Sequence, residues 1–216
     1  MSIKHFFTLI LVLVLSISCT SGKKKPFTGV SISEVFTDSL SIRAIVPQDT
    51  SSVWFAANKG VVGLIANKTP KLITVQYDKK PLHFRAIAKT TSAVFILSID
   101  TPAVLYKIDI KDNEATAMQE VYLETGEGVF YDAISFWNDT EGIAMGDPID
   151  GCLSIIITRD GGNSWAKLPC ANLPDVVAGE AAFAASNSNI AIHGDQTWIV
   201  TGGQRARVFH SPDKGI

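Results

Sequence analysis

A short motif recurs four times along this 216-residue chain, and that recurrence limits the folds open to it more than any other feature. Ser41-Ile42-Arg43-Ala44-Ile45 leads to Val53-Trp54-Phe55, and His83-Phe84-Arg85-Ala86-Ile87 leads to Val94-Phe95-Ile96-Leu97. Tyr131-Asp132-Ala133-Ile134-Ser135-Phe136 leads to Gly142-Ile143-Ala144-Met145, and Glu180-Ala181-Ala182-Phe183 leads to Ile190-Ala191-Ile192. The matching alanines, at 44, 86, 133 and 182, stand 42, 47 and 49 residues apart. Each copy joins β-branched and aromatic runs to clusters of Gly, Asn, Asp, Ser and Pro, which is the pattern of short strands and not of helices. A period of this length suits a four-stranded propeller blade. One twisted four-stranded sheet cannot bury both faces alone, whereas sheets stacked around an axis cover one another and leave only short edges. A β-sandwich also strings short strands at regular spacing, but it does not need one motif to recur at this interval. The expected fold is all-β: a β-propeller of four-stranded blades, with about four blades present.

The most specific local motif is Thr158-Arg159-Asp160-Gly161-Gly162-Asn163-Ser164-Trp165. It resembles the Asp-box, or BNR repeat, Ser/Thr-x-Asp-x-Gly-x-Ser/Thr-Trp, at every defined position: Thr158, Asp160, Gly162, Ser164 and Trp165. An Asp in such a turn accepts backbone N–H groups of its own loop. A Gly supplies the positive φ, and the Trp buries a large face between blades. The resemblance implies a structural fastener on an outer hairpin, away from the ligand-binding end. A second copy begins at Ser211, Asp213 and Gly215, and Asp213 lies 53 residues after Asp160. The sequence stops inside that copy, which reads as a piece of a larger ring of six to eight blades. From about residue 36 onward the chain resembles the plant photosystem II stability/assembly-factor-like propellers, in particular their bacterial lipoprotein relatives. The Arg-Ala-Ile segments, Thr201-Gly202-Gly203 and the Asp-boxes carry that likeness. It implies a non-catalytic propeller that holds another protein, as an assembly or stability factor. Relatives are often described as oxidoreductases, yet no redox motif stands here. Gly126-Glu127-Gly128 is half of a dinucleotide fingerprint, with Tyr131 where the third Gly belongs and no helix pattern after it.

The first residues read differently. Lys4 and His5 precede an apolar run from Phe6 to Ile17, followed by Ser18-Cys19-Thr20-Ser21-Gly22. A positive start, a short apolar core and small residues at its exit describe a secretory signal, and the run is well short of the ~20 residues that span a bilayer. Cys19 after that core resembles the lipobox of bacterial lipoproteins, although Ser16 replaces the usual Leu. The alternative is an ordinary cleaved signal with an incidental Cys. The expected organisation is a signal over residues 1–18, a lipid-anchored tether over 19–35 that includes Lys23-Lys24-Lys25, and blades over 36–216. The expected location is the bacterial cell envelope, at a membrane surface, periplasmic or outer. Charged residues make up 19% of the chain and the net charge is −2, which gives no electrostatic case for nucleic acid.

An exported chain keeps disulfides, and Cys152 and Cys170 fall almost symmetrically about the turn at 160–163. Residues opposed on a hairpin stand close enough to bridge; two buried free thiols are the alternative. Ligands bind propellers where strand ends from several blades converge, so residues at equivalent repeat positions are the natural candidates. Arg43, Arg85 and Asp132 share one such position, and with Glu180 they form the candidate channel-mouth site for an unknown protein or glycan ligand. The competing reading is that each charge makes a local salt bridge between blades. Asp147 and His193-Gly194-Asp195 are weaker candidates. No catalytic residue, metal ligand set or cofactor motif is expected: the four His and three Cys show no ligand spacing. The enzymatic alternative is a sialidase-like or other glycoside hydrolase, because Asp-boxes recur in those folds. It needs a carboxylate pair, or a Tyr/Glu nucleophile with a separate acid, and an Arg set for a substrate carboxylate. Sequence alone places no such Tyr–Glu pair.

Overall fold

Runs of Val, Ile and aromatic residues between turn formers fold into antiparallel strands joined by tight turns. In the computed structural model, residues 28–35, 39–183 and 187–215 are described; the expected signal, Cys19 and the tether through residue 27 lie outside them. Residues Val35–Ile216 form one compact unit. Its first blade is β1 (Ile42–Pro47), β2 (Ser52–Ala57), β3 (Val61–Ala66) and β4 (Thr69–Thr74), paired in that order. A small hairpin, β5 (Gln76–Tyr77) and β6 (Lys80–Pro81), leads into the second blade of β7 (Phe84–Lys89), β8 (Ala93–Ser98), β9 (Ala103–Lys111) and β10 (Glu114–Glu124). The third blade is β11 (Tyr131–Phe136), β12 (Gly142–Ile149), β13 (Cys152–Thr158) and β14 (Ala166–Lys167). The fourth holds β15 (Glu180–Ala181), β16 (Ile190–His193), β17 (Gln196–Gly203) and β18 (Arg207–Ser211). The chain is a β-propeller of four antiparallel blades. Several hairpins close on two-residue turns with both φ angles positive, among them Asn67-Lys68 and Asp112-Asn113, whose twist matches that of the flanking strands.

The inner strands β1, β7, β11 and β16 pack on one another in succession, and the core lies between the sheets. Trp54, Val62 and Leu64 of the first blade meet Phe84, Ile96 and Val104 of the second. Phe95, Leu97 and Leu105 meet Tyr131, Ile134 and Trp165 across the next interface, and Ile143, Met145 and Ile155 meet Ile190 and Ile199 across the third.

The fourth blade departs from its expected order. Ile190-Ala191-Ile192 was expected to follow Glu180-Ala181 as the blade's second strand. Instead β15 and β16 pair with the same edge of β17: Ala181 faces Gly202 and Ile190 faces Ile199. Nine steps along the chain from Ala181 to Ile190 match three along β17, so β15 and β16 are two pieces on one edge of β17 and not consecutive strands of the blade. The spacing from Ala182 to Ile190 happens to equal an ordinary hairpin, which hides the interruption from a periodicity argument.

The turn at 158–165 is tied by its own side chains. Asp160 Oδ1 accepts the Thr158 hydroxyl at 2.9 Å and the Ser164 N–H at 3.0 Å, and Oδ2 accepts the Ser164 hydroxyl at 2.7 Å. Gly162 donates its N–H to Thr158 Oγ1 at 2.9 Å. Its φ is +75° and a Cβ there would run into the Phe95 ring, so glycine is required twice over. Trp165 lies edge-on to Phe95 and Phe136, with ring centroids 6.3 and 5.7 Å away. The later turn repeats these bonds: the Ser211 hydroxyl donates to Asp213 Oδ1 and accepts the Gly215 N–H, both at 2.8 Å.

Cys152 and Cys170 are joined by a disulfide, their Cα atoms 5.6 Å apart. Their geometry is not that of opposed ladder residues. Cys170 sits in the 3-10 turn Cys170–Asn172, past the end of β14, while Cys152 is bridged to Asp175.

Candidate binding site at the channel mouth

Arg43, Arg85 and Asp132 share a structural role that the repeat only hinted at. In β1 the register slips between Ile42 and Ala44, in β7 between Phe84 and Ala86, and in β11 between Tyr131 and Ala133. Each of the three is therefore the extra residue of a β-bulge at the start of an inner strand. A bulge leaves its residue outside the ladder and re-aims its side chain, while the alanine that follows packs into the core.

Arg43 is exposed, and its Nε donates to Ser41 Oγ at 3.1 Å. Arg85 is half-buried, its Nε 3.5 Å from His83 Nε2. Burial, together with the Arg85 and Arg43 charges, holds the His83 imidazolium below its usual range against the pull of Asp100. Asp132 is fully buried, and neither carboxylate oxygen has a hydrogen-bond partner. Burial first, then the negative charge of Asp147, pushes its pKa up to about 8, with Arg85 acting in the opposite sense. Asp147 Oδ1 accepts the Ala182 N–H at 2.7 Å, which brings in the fourth blade. Arg85 thus acts electrostatically on both His83 and Asp132, and Arg43 on His83. The first three blades contribute to one cluster of mixed charge. A cavity of about 250 Å³ lined by Tyr77, Lys80, His83 and Asp100 opens beside it.

Glu180 stands apart. It is bound inside its own blade by Arg207, whose Nε and Nη2 donate at 2.9 and 2.5 Å, by the Thr201 hydroxyl, and by the Val177 N–H at 3.1 Å. Those bonds, the Arg207 pair foremost, hold its pKa down to about 2. Of the four candidate residues, the structure groups Arg43, Arg85 and Asp132, and gives Glu180 a local ion pair. His193 ends β16, and Asp195, in the turn before β17, meets Lys214 at 3.2 Å.

Three residues that periodicity did not single out for the mouth matter here. His83 and Asp100 act on the same charges as the arginines. Asn187, between β15 and β16, accepts the Ile134 N–H at 2.8 Å and donates to the Ile87 carbonyl at 2.8 Å. It stitches the inner strands of the second and third blades from the fourth. His83 was findable two residues before Arg85; no pattern marks Asn187.

A Tyr–Glu cluster does exist, between the second and third blades. Glu124 Oε2 accepts the hydroxyls of Tyr122 and Tyr131 at 2.6 and 2.7 Å, and Oε1 pairs with Lys167. Tyr131 is 1% exposed, and burial foremost, with Tyr122 and Glu124 adding to it, pushes its phenol well above the usual range. A phenol acting as nucleophile needs activation in the opposite sense and access to substrate. Among the described residues, no group of three or more His, Cys, Asp or Glu could hold a metal ion, and no helix is long and apolar enough to cross a membrane.

No protein-family model matches the chain, and no curated protein matches it. Solved structures do. The WD40 repeats of RRP9 are 18% identical, with 81% of this chain and 49% of that chain covered and a TM-score of 0.50. YCF48 from Cyanidioschyzon merolae is 14% identical, with 79% and 51% covered and a TM-score of 0.54. The computationally designed Ika4 protein is 14% identical, with 85% and 98% covered and a TM-score of 0.51. The chain spans about half the length of the RRP9 and YCF48 chains. At these identities the likeness is one of fold, and the fold is the propeller.

Proposed function

We propose that this protein is a non-catalytic propeller that binds a polypeptide segment at its channel mouth, through Arg43, Arg85, Asp132 and their neighbours His83, Asp100 and Asp147. The observation that carries the reading is the threefold bulge, which delivers one ionisable side chain from each of three successive inner strands to the same end. The buried Asp132 carboxylate without a hydrogen-bond partner supports it, because such a group costs stability unless something repays it. Both signs of charge stand at this end, which suits a ligand carrying both, as a peptide does and a simple anion does not. The fold likeness to YCF48, beside the sequence resemblance to photosystem II stability/assembly-factor-like propellers, favours a protein partner over a glycan. The turns at 158–165 and 211–215 serve in this reading as Asp-box fasteners. A lipid on Cys19 would hold the propeller at a membrane of the cell envelope, where its partner would be met.

The test is capture from detergent-solubilised membranes by the wild-type chain and by the Arg43→Ala/Arg85→Ala double variant. The reading expects a defined partner whose recovery falls at least about tenfold with the double variant, while the unfolding midpoint is unchanged. Equal recovery, or a double variant that fails to fold, would return the arginines to a structural role. Release of a fluorescent sugar from a glycoside panel would replace this reading with glycoside hydrolysis.

A further inference from the structure

The chain crosses from the third blade to the fourth through residues 168–179, between β14 and β15, and one covalent bond closes this crossover onto the blade it leaves. Cys170, in its 3-10 turn, is joined to Cys152 at the start of β13. All twelve residues of the crossover are described, and none of their side chains is buried. Leu168, Leu173 and Val176 pack half-buried against the core between the two blades. Hydrogen bonds supply the other ties. Asp175 forms an isolated bridge with Cys152, and its carbonyl accepts Arg207 Nη2 at 2.7 Å. The Gly179 carbonyl accepts the Gln204 N–H at 3.0 Å. The strand that follows is lightly held as well: β15 pairs with β17 through Glu180–Gly203 and Ala181–Gly202. Glu180 Oε2 in turn accepts the Val177 N–H of the crossover at 3.1 Å. A segment with little buried apolar surface and hydrogen bonds near solvent opens locally at small cost, so the disulfide carries much of what keeps this one shut.

We propose that the Cys152–Cys170 disulfide is a redox latch on this crossover, opened by a dithiol protein and closed again by a disulfide oxidant, with the first two blades folded in both states. Its position favours exchange over a passive staple. Cys170 is exposed and Cys152 half-buried, so the bond is open to attack from the Cys170 side, and exposed disulfides are the labile ones. One thiolate of the dithiol attacks Cys170 Sγ, the S–S bond breaks, and Cys152 leaves as a thiolate that takes up a proton. The second thiol of the reductant then attacks its own partner sulfur in the mixed disulfide and displaces Cys170. The reductant departs as a disulfide and both cysteines remain as thiols, so two electrons and two protons pass to the chain. Opening releases residues 168–179 and, through the Val177–Glu180 bond, loosens β15.

The experiment follows hydrogen exchange by mass spectrometry on the 216-residue chain, oxidised and after treatment with dithiothreitol, a small dithiol. Iodoacetamide labelling without denaturant, located by peptide mass, should find both Cys152 and Cys170 as thiols after treatment and neither before it. Exchange in residues 168–181 should then rise at least about tenfold, while β8 and β9 exchange as before. Reoxidation with oxidised glutathione should restore the slow rates. The Cys152→Ser/Cys170→Ser variant should exchange at the fast rate with or without dithiol. Thiols that appear only in denaturant, unchanged exchange after full reduction, or faster exchange spread through β8 and β9 would each overturn the latch. The comparison of oxidised and reduced wild type stands even where the double variant does not fold.

Discussion

Burying a carboxylate without a hydrogen-bond partner is costly, and Asp132 is such a group beside a second carboxylate, Asp147. Its folded pKa, about 8, lies above the ordinary value of 3.8, so the folded state binds the proton more tightly than the unfolded state. The stability linked to that proton is fully present below pH ~4 and is lost as pH rises through about 8. Asp132→Asn removes the titration. The variant should show a flatter dependence of unfolding free energy on pH between about 4 and 8, and should be the more stable protein at the upper end. Urea unfolding at pH 5 and pH 8 measures this, and parallel pH dependences for the two proteins would contradict it. Glu180 has the opposite sign. Its pKa, held near 2 by Arg207, contributes stability above about pH 4.5 that is lost as pH falls through about 2. Glu180→Gln should therefore be the weaker fold at neutral pH, with the difference from wild type vanishing as both approach pH 2.

The elements divide according to how their residues announce themselves. The turn at 158–165 was legible because each of its residues has one mechanical job, and hydroxyl, carboxylate and glycine meet within the turn itself. Trp165→Ala removes an indole from between two blades and should cost ~3–5 kcal/mol. Asp160→Ala, which strands the Ser164 N–H and two hydroxyls, should cost ~1–3 kcal/mol. Denaturant midpoints measure both, and the double variant should lose less than the two losses combined, because the residues share one turn. The strands of the first three blades were legible from alternation and period. The fourth blade was not, because two pieces pairing with one neighbouring strand have the sequence spacing of a hairpin joining two strands. Nor was Asn187, whose partners, Ile134 N and the Ile87 carbonyl, are backbone groups that sequence spacing does not mark. Asn187→Ala leaves both without that partner and should destabilise the chain by ~1–3 kcal/mol, read as a shift in the same midpoints. The bulges were half legible: the repeat put Arg43, Arg85 and Asp132 in register, but only strand pairing shows that each lies outside its ladder.

At the scale of the molecule, four blades bring distant residues to one end by rotation about an axis. Arg43 and Asp132 are 89 residues apart in the chain and contribute to one electrostatic cluster through His83 and Arg85. Their sequence positions carry the repeat, but their joint chemistry exists only in the stacked sheets. The most direct test of the mouth as the binding surface is site-specific photo-crosslinking in membranes, with a photoreactive residue at position 43 or, as control, at Met118 on the outer strand of the second blade. Binding at the mouth predicts a discrete adduct from position 43 that disappears when Arg85→Ala is added, and none from position 118. An adduct from position 118 alone, or one from position 43 indifferent to Arg85, would contradict it.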